Sequence, residues 1–141
     1  MPEVIDTVTP PTALLVVEDN LHARQWLRDW AERECPKFRL LFAAGLDEAR
    51  RLARAHRPAV ALVDIDMHDA RGFEILRLLS SVAPDVHLIA LSMFNAEAYR
   101  DYAAGAGAKA CVSLATSDSK LKDTVGALLG SSRGDPPGRR T

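Results

Sequence analysis

Short apolar runs alternate along this chain with stretches in which apolar residues return every three or four positions. Ala13 to Val17 is an unbroken run of strand length, closed by Glu18-Asp19-Asn20. Ala23, Trp26, Leu27, Trp30 and Ala31 then recur at helical spacing, and the pattern ends before Pro36. Phe38 to Ala43 reads as a second strand. Gly45 opens a helix with an apolar face of Leu46, Ala49, Leu52 and Ala53 and a basic face of Arg50, Arg51 and Arg54, which reads as a solvated surface. After Pro58, Ala59 to Val63 is a third strand ending on Asp64. Phe73, Leu76, Leu79 and Val82 or Ala83 mark a third helix that stops before Pro84. Val86 to Leu91 is a fourth strand ending on Ser92. Asn95 is a helix cap by type, Ala98, Tyr99, Tyr102, Ala103 and Ala106 share a helix face, and Gly107 is the stop. Ala110 to Leu114 is a fifth strand, and Ser117 or Asp118 caps a last helix carrying Leu121, Val125, Leu128 and Leu129.

Strands and helices in strict alternation predict an α/β fold with a parallel sheet covered on both faces. Right-handed crossovers place every strand C-terminus on one rim. That rim collects Glu18 and Asp19 after the first strand, Asp64 after the third and Ser92 after the fourth, in the region where open α/β sheets bind ligands. Residues 1–12, polar and closing on Pro10-Pro11, read as a flexible arm, 13–129 as the folded domain, and 130–141, rich in Gly, Ser, Pro and Arg, as a disordered tail or linker.

Composition narrows the function. With 18 basic against 19 acidic residues in 141, a net charge of -1 gives no electrostatic footprint for nucleic acid or an anionic membrane. Cys35 and Cys111 lack metal-ligand spacing, the first residues lack the features of a secretory signal, and no stretch approaches the roughly 20 apolar residues of a membrane span. A reducing cytoplasm is the expected setting.

Each rim residue has a plain structural reading: Asp64 as a loop starter, Glu18 and Asp19 as an acidic helix start favoured by the helix dipole, Ser92 as a turn residue. Together they suggest more. Acids gathered in a small space repel one another, and the usual remedy is a hard divalent cation such as Mg2+, held by carboxylate oxygens with a position open to a phosphate oxygen. A carboxylate such as Asp64 can take a phosphoryl group as an acyl phosphate, while a hydroxyl such as Ser92 contacts a phosphoryl oxygen.

These residues resemble those of the response-regulator receiver domains of two-component signalling. Leu14 to Asn20 (Leu-Leu-Val-Val-Glu-Asp-Asn) looks like the first strand and acidic pair, and Leu62 to Met67 (Leu-Val-Asp-Ile-Asp-Met) with Gly72 like the phosphoacceptor segment. Ala90-Leu91-Ser92 looks like the fourth-strand hydroxyl motif, and residues 106–110 like the approach to strand five. The resemblance implies a flavodoxin-like (βα)5 doubly wound sheet of order 2-1-3-4-5. It implies Asp64 as phosphoacceptor, Glu18 and Asp19 as Mg2+-side acids, the backbone carbonyl of Asp66 as a further metal ligand, and Ser92 as phosphoryl contact and switch. The implied partners are a histidine kinase or histidine phosphotransfer protein, with signalling through the face of the fourth helix, fifth strand and fifth helix, where a weak homodimer is also expected. No enzymatic activity is implied beyond self-phosphorylation from small phosphodonors and self-dephosphorylation.

Several positions depart from the family pattern. Leu114 stands where receivers carry a lysine, which removes a cation from the phosphoryl pocket; neither Lys109 nor Lys120 restores it, and Arg71 is the nearest substitute in sequence. Met93 replaces a small residue and narrows access to Asp64, Cys111 replaces the aromatic switch ring, and His68 replaces a loop proline. Asp66 is expected to aim its side chain at the pocket mouth, where it repels a phosphodonor. Two other readings therefore stand beside a phosphorylated receiver. One is a phosphorylation-independent pseudo-receiver that binds a protein partner. The other is a haloacid dehalogenase-type phosphatase, suggested by Asp64-Ile65-Asp66. Nothing after Leu129 has a helix-turn-helix pattern, so no direct nucleic-acid contact is expected from these residues.

Overall fold

The computed structural model describes residues 12–67, 71–93, 96–115 and 118–132. Five strands, β1 (Ala13–Val17), β2 (Arg39–Ala43), β3 (Val60–Asp64), β4 (His87–Ser92) and β5 (Ala110–Ser113), alternate with α1 (Leu21–Glu34), α2 (Leu46–His56), α3 (Gly72–Val82), α4 (Ala96–Gly105) and α5 (Asp118–Ser132). The strands form one parallel sheet in the order β2-β1-β3-β4-β5. The parallel sheet expected from the alternation, and the flavodoxin-like strand order that the family resemblance implies, are both observed.

Alternation along each strand divides the core in two. Leu15, Val17, Ala61, Val63, Leu88 and Ala90 point to one face, where they pack with Ala49, Ala53, Ile75, Leu76, Leu79 and Ala103 of α2, α3 and α4. Leu14, Val16, Val60, Leu62, Ile89 and Leu91 point to the other, against Leu27, Trp30 and Ala31 of α1 and Leu121 and Val125 of α5. Both faces of β1 and β3 are dry, which is why these strands read as continuous apolar runs. The first polar side chain after each run therefore emerges at the rim.

Element ends differ in detail from the sequence expectation. Ser92 is the last residue of β4, fully buried, rather than a residue beyond it. β5 closes at Ser113, so Leu114 lies just past it. The last helix continues to Ser132, three residues into the stretch assigned to a tail, because each further turn of a nucleated helix gains a backbone hydrogen bond per residue fixed. Tyr102, expected on the buried face of α4, is 72% exposed. Small Ala103 and Ala106 let α4 approach closely, and the Tyr102 ring instead lies edge-on to Phe73 at 6.3 Å between centroids. The basic face of α2 is solvated, with Arg50 paired to Asp47 at 2.8 Å. Asn95, Ser117 and His68 lie outside the described residues.

Two glycines are required by geometry. Gly107 ends α4 as expected: at φ 110° it sits in a Schellman motif, with Ala108 N–H donating to the Ala103 carbonyl (2.9 Å) and Gly107 N–H to that of Ala104 (3.0 Å). Gly72 starts α3 directly against the segment that follows β3. A Cβ there would lie 2.8 Å from the Asp64 carbonyl oxygen and collide with Ile65 Cα, both backbone atoms that cannot swing aside.

Gly72→Ala is expected to destabilise the fold by about 1–3 kcal/mol, the usual cost of overpacking, in urea unfolding. Because the clash falls on the peptide that carries Asp64, amide resonances of residues 64 to 66 shift in the same variant. Retained stability with unmoved resonances would refute the close approach.

Candidate functional site

Val17 is the last residue of β1, and the next residue is held between two strand ends. Glu18 N–H donates to the Ala43 carbonyl at the end of β2 (2.9 Å), and Glu18 is only 1% exposed. Asn20 then caps α1. Its Oδ1 accepts from Ala23 N–H at 2.9 Å, and its own N–H donates to Glu18 Oε2 at 3.1 Å. Asn20 thus supplies the side-chain cap of α1. Sequence reasoning gave Asn20 no role, although an Asn directly before a helical pattern is the signal for one.

Asp64 comes to the same place from β3. Its Oδ1 accepts from Asp66 N–H at 2.8 Å, and its carboxyl is hydrogen-bonded to that of Glu18. Oxygens of Glu18, Asp19 and Asp64 all lie within 4.8 Å of one another. The convergence expected from the topology is thus present for the three acids.

The electrostatics follow. Burial, the hydrogen bond to Asp64 and the Asp64 charge together push Glu18 from an ordinary 4.5 up to about 8, so it keeps its proton at neutral pH. Burial also raises Asp64, offset in part by its hydrogen bonds with Glu18 and the Asp66 N–H. An all-oxygen, acid-rich donor set whose main strain is its own repulsion fits a hard divalent cation, which would take over the role of the Glu18 proton.

Ser92 arrives from β4. The side chain of Asp66, an exposed residue, does not project freely into solvent. It folds across to β4, where Oδ2 accepts from Ser92 Oγ at 3.0 Å and from Met93 N–H at 2.9 Å. Sequence reasoning missed this pairing, since 26 residues separate Asp66 from Ser92.

A model of the response regulator receiver domain matches residues 14–126. The chain belongs to that family. A relative, the photosynthetic apparatus regulatory protein RegA of Rhodovulum sulfidophilum, is 28% identical over 128 residues, 90% of this chain and 66% of that protein. The chain thus spans just under two thirds of the length of this relative. Among solved structures, a LuxR-family two-component response regulator from Aurantimonas superposes with a TM-score of 0.77 at 24% identity, covering 86% of this chain and 87% of that one. The receiver domain of the sensor histidine kinase PA1611 from Pseudomonas aeruginosa gives 0.74 at 20% identity, covering 86% and 99%; that structure holds a magnesium ion coordinated in its active-site cleft.

Within the receiver fold the departures of this chain take definite places. Leu114 is drawn inward against the apolar cluster on the α1 and α5 side, while its N–H donates to the Ser92 carbonyl at 2.9 Å. Cys111 is half-buried against the opposite cluster, and burial raises its thiol pKa. Met93 is 43% exposed, so its side chain stands at the surface and its backbone N–H is what reaches the site. Arg71 sets Nε 3.6 Å from the Glu74 carboxylate at the start of α3. No helix among the described residues is long and apolar enough to cross a membrane.

The raised acid fixes a pH dependence. The unfolded chain releases the Glu18 proton near 4.5 and the folded one near 8, so between these values the folded state binds more protons and stability falls as pH rises. Asp64 is shifted in the same direction and adds to the fall. Metal-free protein is therefore expected to lose Tm steadily across that window, with saturating Mg2+ raising Tm more at the alkaline end. Glu18→Gln should flatten both trends; an unchanged slope in that variant assigns the dependence to other groups.

Proposed function

We propose that this receiver domain accepts a phosphoryl group on Asp64 from the phosphohistidine of a histidine kinase or histidine phosphotransfer protein, with Mg2+ as cofactor. The observation that carries the reading is the meeting of the Glu18, Asp19 and Asp64 carboxylates within 4.8 Å at the C-terminal rim of the sheet. Glu18, Asp19, Asp64 and the Asp66 backbone carbonyl are the proposed metal ligands. Bound there, the cation offsets the negative charge that otherwise keeps a phosphoryl group away from three acids.

The chain's own residues do the rest. An Asp64 carboxylate oxygen attacks phosphorus, an O–P bond forms as the P–N bond breaks, and the electron pair returns to the imidazole nitrogen, which leaves as neutral imidazole with its other nitrogen protonated. Asp66 N–H, 2.8 Å from Asp64 Oδ1, orients the nucleophile. Ser92 Oγ, buried at the end of β4, is the hydroxyl donor for a phosphoryl oxygen. Signalling is assigned to the face of α4, β5 and α5, with switching that dispenses with the lysine and the aromatic ring replaced by Leu114 and Cys111. Catalysis is confined to this self-phosphorylation and to self-dephosphorylation. The two free cysteines and the partner class fit a cytoplasmic protein. Residues 1–12 are assigned to a flexible arm, 13–129 to the domain and 130–141, into which α5 runs as far as Ser132, to a tail or linker.

A second reading, a phosphorylation-independent docking module, is favoured by one observation: Leu114, partly buried against an apolar cluster, stands at the position where a receiver lysine would meet the phosphoryl group. The phosphatase reading loses ground, because its second acid would be Asp66, whose carboxylate is engaged by Ser92 and Met93.

Intact-mass measurement after incubation with Mg2+ and acetyl phosphate separates the first two readings. Phosphorylation adds about 80 Da, one phosphoryl group, and the gain disappears in Asp64→Asn and on chelation of the metal. No gain in the wild-type chain leaves the docking module.

A further inference from the structure

Ser92 and Met93 form an anion seat that this chain fills with its own side chain. The buried Ser92 hydroxyl and the following backbone N–H converge on a single oxygen, Asp66 Oδ2, at 3.0 and 2.9 Å. Two donors from consecutive residues aimed at one carboxylate oxygen are charge-assisted hydrogen bonds of the kind that select an anionic oxygen. The fit is arranged from the other side as well. Asp66 N–H donates to Asp64 Oδ1 at 2.8 Å, which fixes the turn after β3 with the Asp66 side chain laid across to β4. Asp64 and this seat consequently share one short peptide, and the seat lies beside the nucleophile.

We propose that Asp66 is a latch: its carboxylate occupies the Ser92–Met93 seat and must vacate it before a phosphoryl oxygen carried by Asp64 can enter. The inference rests on the proposed role of Asp64. Leu114 has no hydrogen-bonding group, so a phosphoryl group arriving on this side relies on the same two donors that Asp66 already holds. The latch also ties the end of β3 to the start of the β4–α4 connection without any modification. Phosphorylation of Asp64 then exchanges one anion for another at Ser92 and releases the Asp66 carboxylate to solvent, where its exposed position on the loop leaves it room to turn.

The full chain with Mg2+ and acetyl phosphate provides the test. In the step followed, an Asp64 oxygen bonds to phosphorus as the P–O bond to the acetyl group breaks, and acetate departs with the electron pair. Asp66→Ala is expected to raise the rate of mass gain about tenfold or more, the scale of losing charge-assisted hydrogen bonds, with Asp66→Asn in between because its amide oxygen still accepts. Independently of phosphorylation, the Met93 amide proton moves upfield in Asp66→Ala, since its hydrogen bond to a carboxylate is lost. A Met93 amide that stays in place overturns the latch, because any faster labelling then reflects removal of charge alone. An Asp66→Ala rate within twofold of wild type overturns it too, and leaves the role of Asp64 standing. If neither protein gains mass, the role of Asp64 fails and the latch falls with it.

Discussion

Like charge held at close range is the constraint on which the rest of this molecule turns. Glu18 and Asp64 are delivered to one point by strands that are buried on both faces, so neither carboxyl can retreat without dismantling the sheet. The repulsion is met at neutral pH by a proton kept on Glu18, whose pKa burial and Asp64 raise to about 8. Such an arrangement costs stability in the metal-free protein and makes the rim receptive to positive charge.

The surroundings hold this tension in place. Two apolar layers fix the strands from either side, Asn20 caps α1, and Gly72 lets α3 begin against the peptide that follows Asp64. The rigidity is specific to the rim's floor. What changes at its edge is which partner each polar atom takes, as the Asp66 carboxylate does by bridging from the β3 loop to Ser92 and Met93.

This division explains how the chain differs from its family. Glu18, Asp19 and Asp64 converge at the rim, while the positions proposed to read a phosphoryl group carry apolar residues or an internal partner. Leu114 and Cys111 are partly buried against the two apolar clusters, and the Ser92 hydroxyl already donates to the Asp66 carboxylate.

By itself the sequence determined the alternation of strands and helices, hence the parallel sheet and the common rim at which Glu18, Asp19, Asp64 and Ser92 end; the strand order came only through the family resemblance. The sheet and its rim depend on local periodicity and on the handedness of crossovers, both written in neighbouring residues. The stop at Gly107 was equally legible, since a left-handed residue after a helix is a local demand. Tertiary structure alone decided that Glu18 keeps its proton, that Tyr102 lies outside against Phe73, and that Asp66 reaches across to Ser92. Each depends on the distance between residues far apart in the chain, and on how much water is left between them, which no local pattern encodes.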